Sequence, residues 1–180
     1  MIQSVCVYCA SSARVPQHYL NAARDFGRML AENNIHCIYG GGHQGLMGYL
    51  AEGVLSAGGH ITGVIPRFMV DLNWHHCALP EMVEVATMHE RKELMLQRAD
   101  AAVALPGGIG TFEELVEAIT WRKLGLFPKR VFILNANGFY NPLLQMFETA
   151  VKEEFMEQED RNLWTIADNV EMLIKSLKNA

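Results

Sequence analysis

The sequence AAVALPGGIGTFEEL, residues 101–115, joins an apolar run to a glycine-rich turn and then to the start of a helical pattern. The run Ala101–Leu105 is apolar at every position, as are strands of a parallel sheet that is covered on both faces. Three glycines follow it, and a helix is predicted to begin near Thr111. A strand, a tight turn and a helix in this order form the repeating unit of α/β proteins.

The same unit recurs along the chain, where short apolar runs alternate with longer helical patterns. Further strands are predicted at Val5–Cys9, His36–Tyr39, Ile61–Ile65, Val83–Ala86 and Val131–Leu134, with a short edge strand near Leu163–Ile166. Apolar residues at helical spacing, such as Tyr19, Ala23, Phe26 and Leu30, predict the intervening helices, and a last helix is predicted at about Asn169–Leu177. This alternation predicts a single domain over residues 1–180, with a Rossmann-like, doubly wound parallel sheet flanked by helices.

Composition excludes several classes of protein. The chain has 180 residues, of which 50% are hydrophobic, so it can bury a sizeable core and is not disordered. Its formal net charge of -5 argues against a nucleic-acid partner. No apolar run reaches the roughly 18 residues that span a bilayer, which argues against a membrane protein. No basic side chain precedes Arg14, so a signal peptide is not expected and a cytoplasmic location is the default.

The cysteines offer two candidate redox or metal sites. Cys6 and Cys9 form C-x-x-C, but they lie in an apolar predicted strand without a second such pair, so burial as small hydrophobic residues is the favoured interpretation. His75, His76 and Cys77 are metal-binding residue types, but adjacent side chains rarely converge on one ion. They lie in Arg67–Pro80, a long irregular connection that is a candidate lid or site-flanking loop. No metal site is expected.

A first glycine-rich loop follows the second predicted strand. Residues 40–45 fit G-x-G-x-x-G, a pattern typical of dinucleotide-binding turns. However, the next strand ends at Ile65-Pro66-Arg67, where a ribose-binding acid would be expected, and G-K-[ST] is absent, so NAD and Walker-type binding are not expected. A nucleotide-binding loop and a tight structural turn both remain open here.

The second glycine-rich loop is the sharper signal. Between Pro106 and Glu114, glycines precede a predicted helix start, where free backbone amides form an anion site. Thr111 and Glu114 also fit a capping box, in which Glu114 only closes the helix start. Arg91 and Lys92 open another helix directly after a strand. Because ligands bind beyond the carboxyl ends of parallel strands, both cations are expected to face the crevice.

The pattern PGGxGTxxE, read at Pro106 to Glu114, resembles the signature of the LONELY GUY (LOG) family, the cytokinin riboside 5'-monophosphate phosphoribohydrolases once mislabelled as lysine decarboxylases. The resemblance extends over about Val5 to Leu144. It also includes residues 8–12, 39–42, 45–48, 63–66, 88–92, 120–121 and 124–125. No pyridoxal-phosphate motif or evident Schiff-base lysine supports a decarboxylase.

The resemblance implies specific site residues. The catalytic pair falls on Arg91 and Glu114, and no metal or cofactor is implied. The substrate-binding positions fall on Gly41, Gly42, Met88, Lys92, Gly107, Gly108, Ile109, Gly110, Thr111 and Thr120. The sequence departs from the family at Ala10, where glycine is usual, and at Asn73, where some relatives place a glutamate that touches the sugar.

The activity that the resemblance implies is hydrolysis of the N-glycosidic bond of purine nucleoside 5'-monophosphates, including N6-modified, cytokinin-type ones. A carboxylate at Glu114 suits the oxocarbenium-like charge of that reaction. A homodimer is also implied, and Met95, Trp121, Leu124 and Phe127 are its candidate contacts. The alternatives are a non-catalytic carrier of a nucleotide or of the molybdenum cofactor on the same fold, and an assembly or signalling scaffold.

Overall fold

A computed structural model describes residues 2–180. The strands are β1 (Ser4–Tyr8), β2 (His36–Tyr39), β3 (Ile61–Pro66), β4 (Glu81–Val85), β5 (Ala101–Ala104), β6 (Arg130–Leu134) and β7 (Trp164–Ala167). The helices are α1 (Gln17–Glu32), α2 (Gly45–Ser56), α3 (Arg67–Asp71), α4 (Met88–Gln97), α5 (Ile109–Lys123), α6 (Asn141–Lys152) and α7 (Val170–Lys178). Two 3₁₀ segments, Ala136–Gly138 and Gln158–Leu163, complete the chain.

All seven strands form one parallel sheet in the order β4-β3-β2-β1-β5-β6-β7, which confirms the predicted fold class. The chain moves outward from β1 to β4 and then returns to place β5 on the other side of β1. The loops after β1 and β5 therefore diverge, and a crevice opens between them at the carboxyl ends of the strands.

Each face of the sheet has its own apolar core. In β1, Val5 and Val7 contribute to the core under α1, α2 and α7, whereas Cys6 and Tyr8 contribute to the core under α4, α5 and α6. This two-sided burial is why the strands are apolar at successive positions. Met95 and Phe127 were expected at a subunit contact, but both are buried in the second core: Met95 lies on the side of α4 that packs against the sheet, and Phe127 lies in the turn between α5 and β6.

The Arg67–Pro80 connection is more ordered than the sequence predicts. Its first five residues form α3, and His75 makes an isolated antiparallel bridge with Gly42. The His76 amide also donates to the Gly41 carbonyl at 2.9 Å. This connection is therefore tied to the first glycine loop. None of the helices among residues 2–180 has the length and apolar character to cross a membrane.

Candidate active site

A cleft of about 610 Å³ opens at the switch point between β1 and β5. The loops after β1 and β2, the end of β3 and the first turns of α4 and α5 surround it. Of the predicted site residues, the cleft is lined by Gly42, Met88, Arg91, Gly108, Ile109, Gly110, Thr111 and Glu114. The structure therefore brings the two sharpest sequence signals, residues 88–91 and 108–114, into one cavity.

Arg91 and Glu114 meet in this cleft. Arg91 Nη1 lies 3.3 Å from Glu114 Oε1, and the two residues are only 5% and 6% exposed. Arg91 also donates from Nε to the Val64 carbonyl at 3.0 Å and from Nη2 to the Gly40 carbonyl at 3.3 Å. Three acceptors on three different elements therefore fix the guanidinium group, and the sequence expectation that Arg91 faces the crevice is met.

The buried position of Glu114 changes its acidity. Burial raises the pKa of Glu114 to about 7, although the charge of Arg91 acts in the opposite direction. A carboxyl group with such a pKa can take up or release a proton near neutral pH, which is the range in which a general base works. Strong perturbation by burial and by a specific charged partner, within a cleft, is typical of functional carboxyl groups.

The capping-box interpretation of Glu114 is wrong. Helix α5 begins at Ile109, its N-cap residue is Gly108, and no side chain caps it. Thr111 is therefore already inside the first turn, and Glu114 turns inward to Arg91. The amides of the first turn of an α-helix have no partner within the helix, so they remain available to an anion.

The glycines before and within this turn differ in what they do. A side chain at Gly107 would lie 2.1 Å from Thr111 Oγ1, so this glycine makes room for a buried threonine and does not line the cleft. A side chain at Gly108 or Gly110 would meet nothing within 4 Å. These two glycines therefore leave the helix start open toward the cleft.

Lys92, which the sequence predicts to face the crevice, does not line the cleft, and neither does Thr120. The ammonium group of Lys92 is paired with the carboxylates of Glu113 and Glu117, the latter at 3.0 Å. Burial opposes the charge of Lys92, but hydrogen bonds to these two carboxylates outweigh it and raise its pKa. The hydroxyl of Thr120 donates to the Val116 carbonyl at 2.8 Å.

The first glycine loop is a compact strand-to-helix turn. Gly41 and Gly45 have φ values of 74° and 59°, which residues with a side chain rarely adopt. A Cβ atom at Gly45 would also lie 2.5 Å from the Ser12 carbonyl oxygen. Gly41 does not line the cleft. Arg67, which follows the end of β3, does not line the cleft and pairs with Glu84 at 2.8 Å on the surface.

Sequence reasoning missed several cleft residues. An apolar wall formed by Met47, Met69 and Trp74 faces the glycine turn, and Trp74 is 51% exposed. Ser11 and Ser12 also line the cleft; the sequence places them after β1, within residues 8–12 of the family resemblance, but predicts no site role for them. No periodic pattern marked Met69 or Trp74, since both lie in the connection predicted to be irregular.

The cysteines are free, and three of them are packing residues. Cys6, Cys9 and Cys37 are buried, and burial raises the pKa of their thiols, so they are not activated nucleophiles. Cys77 is exposed, with its Sγ 3.6 Å from His75 Nε2. Within residues 2–180, no three or more His, Cys, Asp or Glu side chains are grouped so as to hold a metal ion.

Comparison with known proteins shows the family of this chain. The family described as "Possible lysine decarboxylase" matches residues 47–177. Cytokinin riboside 5'-monophosphate phosphoribohydrolase LOG5 of Arabidopsis thaliana is 41% identical over 174 residues, which cover 97% of this chain and 76% of the relative. LOG2 of the same plant is also 41% identical, over 97% of this chain and 82% of its own. The chain therefore belongs to the LONELY GUY family.

Solved structures share the fold. The molybdenum cofactor carrier protein of Chlamydomonas reinhardtii superposes with a TM-score of 0.77 at 21% identity, covering 99% of this chain and 98% of its own. The molybdenum cofactor binding protein of Rippkaea orientalis gives 0.76 at 20% identity, covering 99% and 97%. At this identity, the likeness is one of architecture.

Proposed function

We propose that this protein hydrolyses the N-glycosidic bond of purine nucleoside 5'-monophosphates, releasing the free base and ribose 5-phosphate. The observation that carries the proposal is the buried Arg91–Glu114 pair beside the open first turn of α5. A carboxylate next to an anion site matches a substrate that has a phosphate at one end and develops positive charge in the middle. The named activity of the curated relatives supports the same reaction.

The amides at the start of α5 would hold the 5'-phosphate. Gly108 and Gly110 leave this turn open, and the helix dipole favours an anion there. Energy from binding the phosphate, away from the bond that breaks, then orients the ribose over Glu114. The binding roles proposed for Gly42, Met88 and Thr111 rest on the same placement, since all three line the cleft.

Glu114 would act on the anomeric carbon. As the C–N bond breaks and its electrons leave with the base, the ribose takes on oxocarbenium character, which the Glu114 carboxylate stabilises. The same carboxylate accepts a proton from the water whose oxygen forms the new C–O bond. That proton then passes to the departing base, so one water is added across the broken bond and Glu114 returns to its ionised form. The pKa of Glu114, near 7, suits a group that is ionised before the reaction and protonated during it.

Arg91 would orient Glu114 and balance its charge. A guanidinium does not give up its proton in proteins, so Arg91 is not the acid that protonates the base. Its three acceptors, the carbonyls of Val64 and Gly40 and the Glu114 carboxylate, hold it in one position. A fixed cation keeps part of the Glu114 population ionised despite burial.

The apolar wall supports a base with an apolar substituent. Met47, Met69 and Trp74 present sulfur, methyl and aromatic groups to the cleft. A purine ring stacks well on an aromatic side chain, and an isoprenoid group at N6 would extend along the methionines. We therefore expect N6-isopentenyl-AMP to be cleaved with a higher kcat/KM than AMP.

The test is release of free base from purified protein with AMP and with N6-isopentenyl-AMP, followed by chromatography. Base and ribose 5-phosphate should appear in equal amounts, and Glu114→Gln is the matched control without a carboxylate. Binding of both nucleotides without any release of base would contradict the proposal. That result would favour the alternative of a non-catalytic nucleotide or cofactor carrier, for which the buried Arg91–Glu114 pair has no role.

We also propose that the protein is a homodimer in contact through α5. Ile109 and Val116 on this helix and Leu124 at its C-cap are spaced seven and eight residues apart and are 85%, 40% and 65% exposed. Of the contacts expected from sequence, only Leu124 is exposed, while Trp121 packs partly against the core. Thr120 lies on the same stripe, so in such a dimer it would be at the subunit contact.

Light scattering tests the oligomeric state, since one chain has a mass of 20.2 kDa. We expect twice that mass at micromolar concentration, and Leu124→Asp should shift it toward the single chain. A wild-type mass of one chain throughout would contradict the dimer. A cytoplasmic location stays a prediction.

A further inference from the structure

Gly40, the first glycine of the loop after β2, offers its carbonyl oxygen to Arg91, but a carbonyl acceptor does not require a glycine. Gly40 follows Tyr39 directly at the end of β2 and lines the cleft. Its φ lies outside the left-handed region, which in this loop only Gly41 and Gly45 occupy. The backbone at Gly40 would therefore accept other residues, and the reason for a glycine must be sought in the space around it.

Arg91 occupies that space. A Cβ atom at Gly40 would lie 1.9 Å from Arg91 Nη2 and 3.2 Å from Arg91 Cζ. Nη2 in turn donates to the carbonyl oxygen of Gly40 at 3.3 Å. The guanidinium group therefore lies where the side chain of residue 40 would be, and the same residue supplies one of its three acceptors.

We propose that Gly40 is a positioning residue, whose missing side chain makes the space in which the Arg91 guanidinium is held against Glu114. The first glycine of the G-x-G-x-x-G pattern then serves an arginine and not a phosphate group. The catalytic consequence rests on the proposed function, whereas the effect on Arg91 and Glu114 does not.

An alanine at Gly40 would displace Arg91 without preventing folding. The atom in its way is the end of a flexible side chain, so the guanidinium can move while the backbone stays. Both Arg91 contacts, from Nη2 to Gly40 and from Nη1 to Glu114, are already 3.3 Å long, so we expect a displaced guanidinium to lose its contact with Glu114. Burial raises the pKa of Glu114. Of the charged groups around it, Arg91 and Lys92 lower that pKa, while Glu113 and Glu117 raise it.

The first experiment follows the Glu114 carboxyl by ¹³C NMR across pH, in wild type, in Gly40→Ala and in Gly42→Ala. In Gly40→Ala we expect Glu114 to titrate at a pH higher by at least about one unit, because it has lost a fixed opposite charge. Gly42→Ala is the matched control, since a Cβ there would approach Met47 Sδ at 2.8 Å and not Arg91. An unchanged titration in Gly40→Ala, or an equal shift in both variants, would overturn the proposal.

The second experiment is a double-mutant cycle on base release with Gly40→Ala and Arg91→Lys. Lysine has no Nη2 atom to collide with a methyl group at position 40. We expect Gly40→Ala alone to lower kcat by about 100-fold, since misplacing a group in an active site by about 1 Å can cost that much. Added to Arg91→Lys, it should cost less than about threefold more, because the two changes act through one group. Losses that multiply would overturn the proposal.

Two further outcomes keep this inference separate from the proposed function. If the wild type releases no base from any nucleotide, the proposed function fails, and the NMR titration still decides the role of Gly40. If Gly40→Ala folds poorly, its melting temperature is compared in the wild-type and Arg91→Lys backgrounds. Recovery in the Arg91→Lys background supports the inference, and an equal loss in both backgrounds contradicts it.

Discussion

Arg91 on α4 and Glu114 on α5 are in contact at 3.3 Å, although the strands that lead into their helices, β4 and β5, are separated in the sheet by β3, β2 and β1. The contact forms because both helices begin at the same edge of the sheet and Arg91 reaches across the end of β3 to the carbonyl of Val64. The result is a buried carboxyl group whose charge depends on one well-held cation.

The pH dependence of catalysis should report Glu114. Its carboxylate must be ionised to stabilise the ribose and accept a proton, and burial raises its pKa to about 7. We therefore expect kcat/KM for AMP to increase with pH through about 7 and then to level off. A rate profile measured between pH 5 and 9 checks this, and a profile already flat at pH 5 would contradict the role of Glu114.

Stability should respond to pH in the opposite sense. Between its usual value of 4.5 and about 7, Glu114 holds a proton in the folded state but not in the unfolded state. Because the unfolded state then binds fewer protons, the free energy of unfolding falls as pH rises through this interval. Denaturant unfolding of wild type and Glu114→Gln at several pH values isolates the effect. As pH rises from 4.5 to about 7, the free energy of unfolding of the wild type should fall relative to that of Glu114→Gln. A difference in unfolding free energy that stays constant over this range would contradict burial of the acid.

Lys92 provides a test of structure against resemblance. The resemblance places it on the nucleotide, whereas in the structure it neutralises Glu113 and Glu117, and Glu113 lines the cleft. Lys92→Met should weaken AMP binding because Glu113 then repels the phosphate. Adding Glu113→Gln should restore the Kd to within about threefold of wild type, since the two charges act as a pair. Calorimetric titration checks this, and no recovery in the double variant would favour direct contact with substrate.

Much of this fold is predictable because burial on both faces leaves a plain pattern. The strands at residues 5–9 and 101–105 are apolar throughout, and each is followed by a loop that reaches the cleft. Glu114 could be recognised from its motif, but its role could not be separated from a capping box, because both use the same Thr-x-x-Glu spacing. The extended N-cap at Gly108, which places the helix start two residues earlier, decides the matter.

Other parts of the site depend on contacts that leave no local pattern. The carboxylates that pair with Lys92 lie on α5, more than 20 residues further along the chain. The sequence therefore does not show that the charge of Lys92 is balanced by an ion pair. Trp74 lines the cleft because the Arg67–Pro80 connection is hydrogen-bonded to the first glycine loop. The Trp74 carbonyl accepts from the His43 amide at 3.3 Å. Gly40 could be recognised as one glycine of a motif, but its relation to Arg91 required coordinates.

The 5'-phosphate should be required for cleavage. Each charge-assisted hydrogen bond from the start of α5 contributes on the order of 1.5–3 kcal/mol. Several together should separate AMP from adenosine by about three decades in kcat/KM, since every 1.4 kcal/mol is about tenfold. ATP should be a poor substrate because the short turn from Gly108 to Thr111 closes around one phosphate. Rates with AMP, adenosine and ATP compared side by side check this, and equal values for AMP and adenosine would make the turn purely structural.

The most direct test of the account is Glu114→Gln, measured at pH 8.5, where the wild-type carboxyl group is ionised. Base release from AMP and AMP affinity are determined on the same preparation, and the amide keeps the size of the side chain while removing its charge. We expect turnover to fall by about 10²–10⁴, as for loss of a general base, with the Kd for AMP within about threefold of wild type. A variant that retains most of its turnover would contradict the proposed chemistry at Glu114.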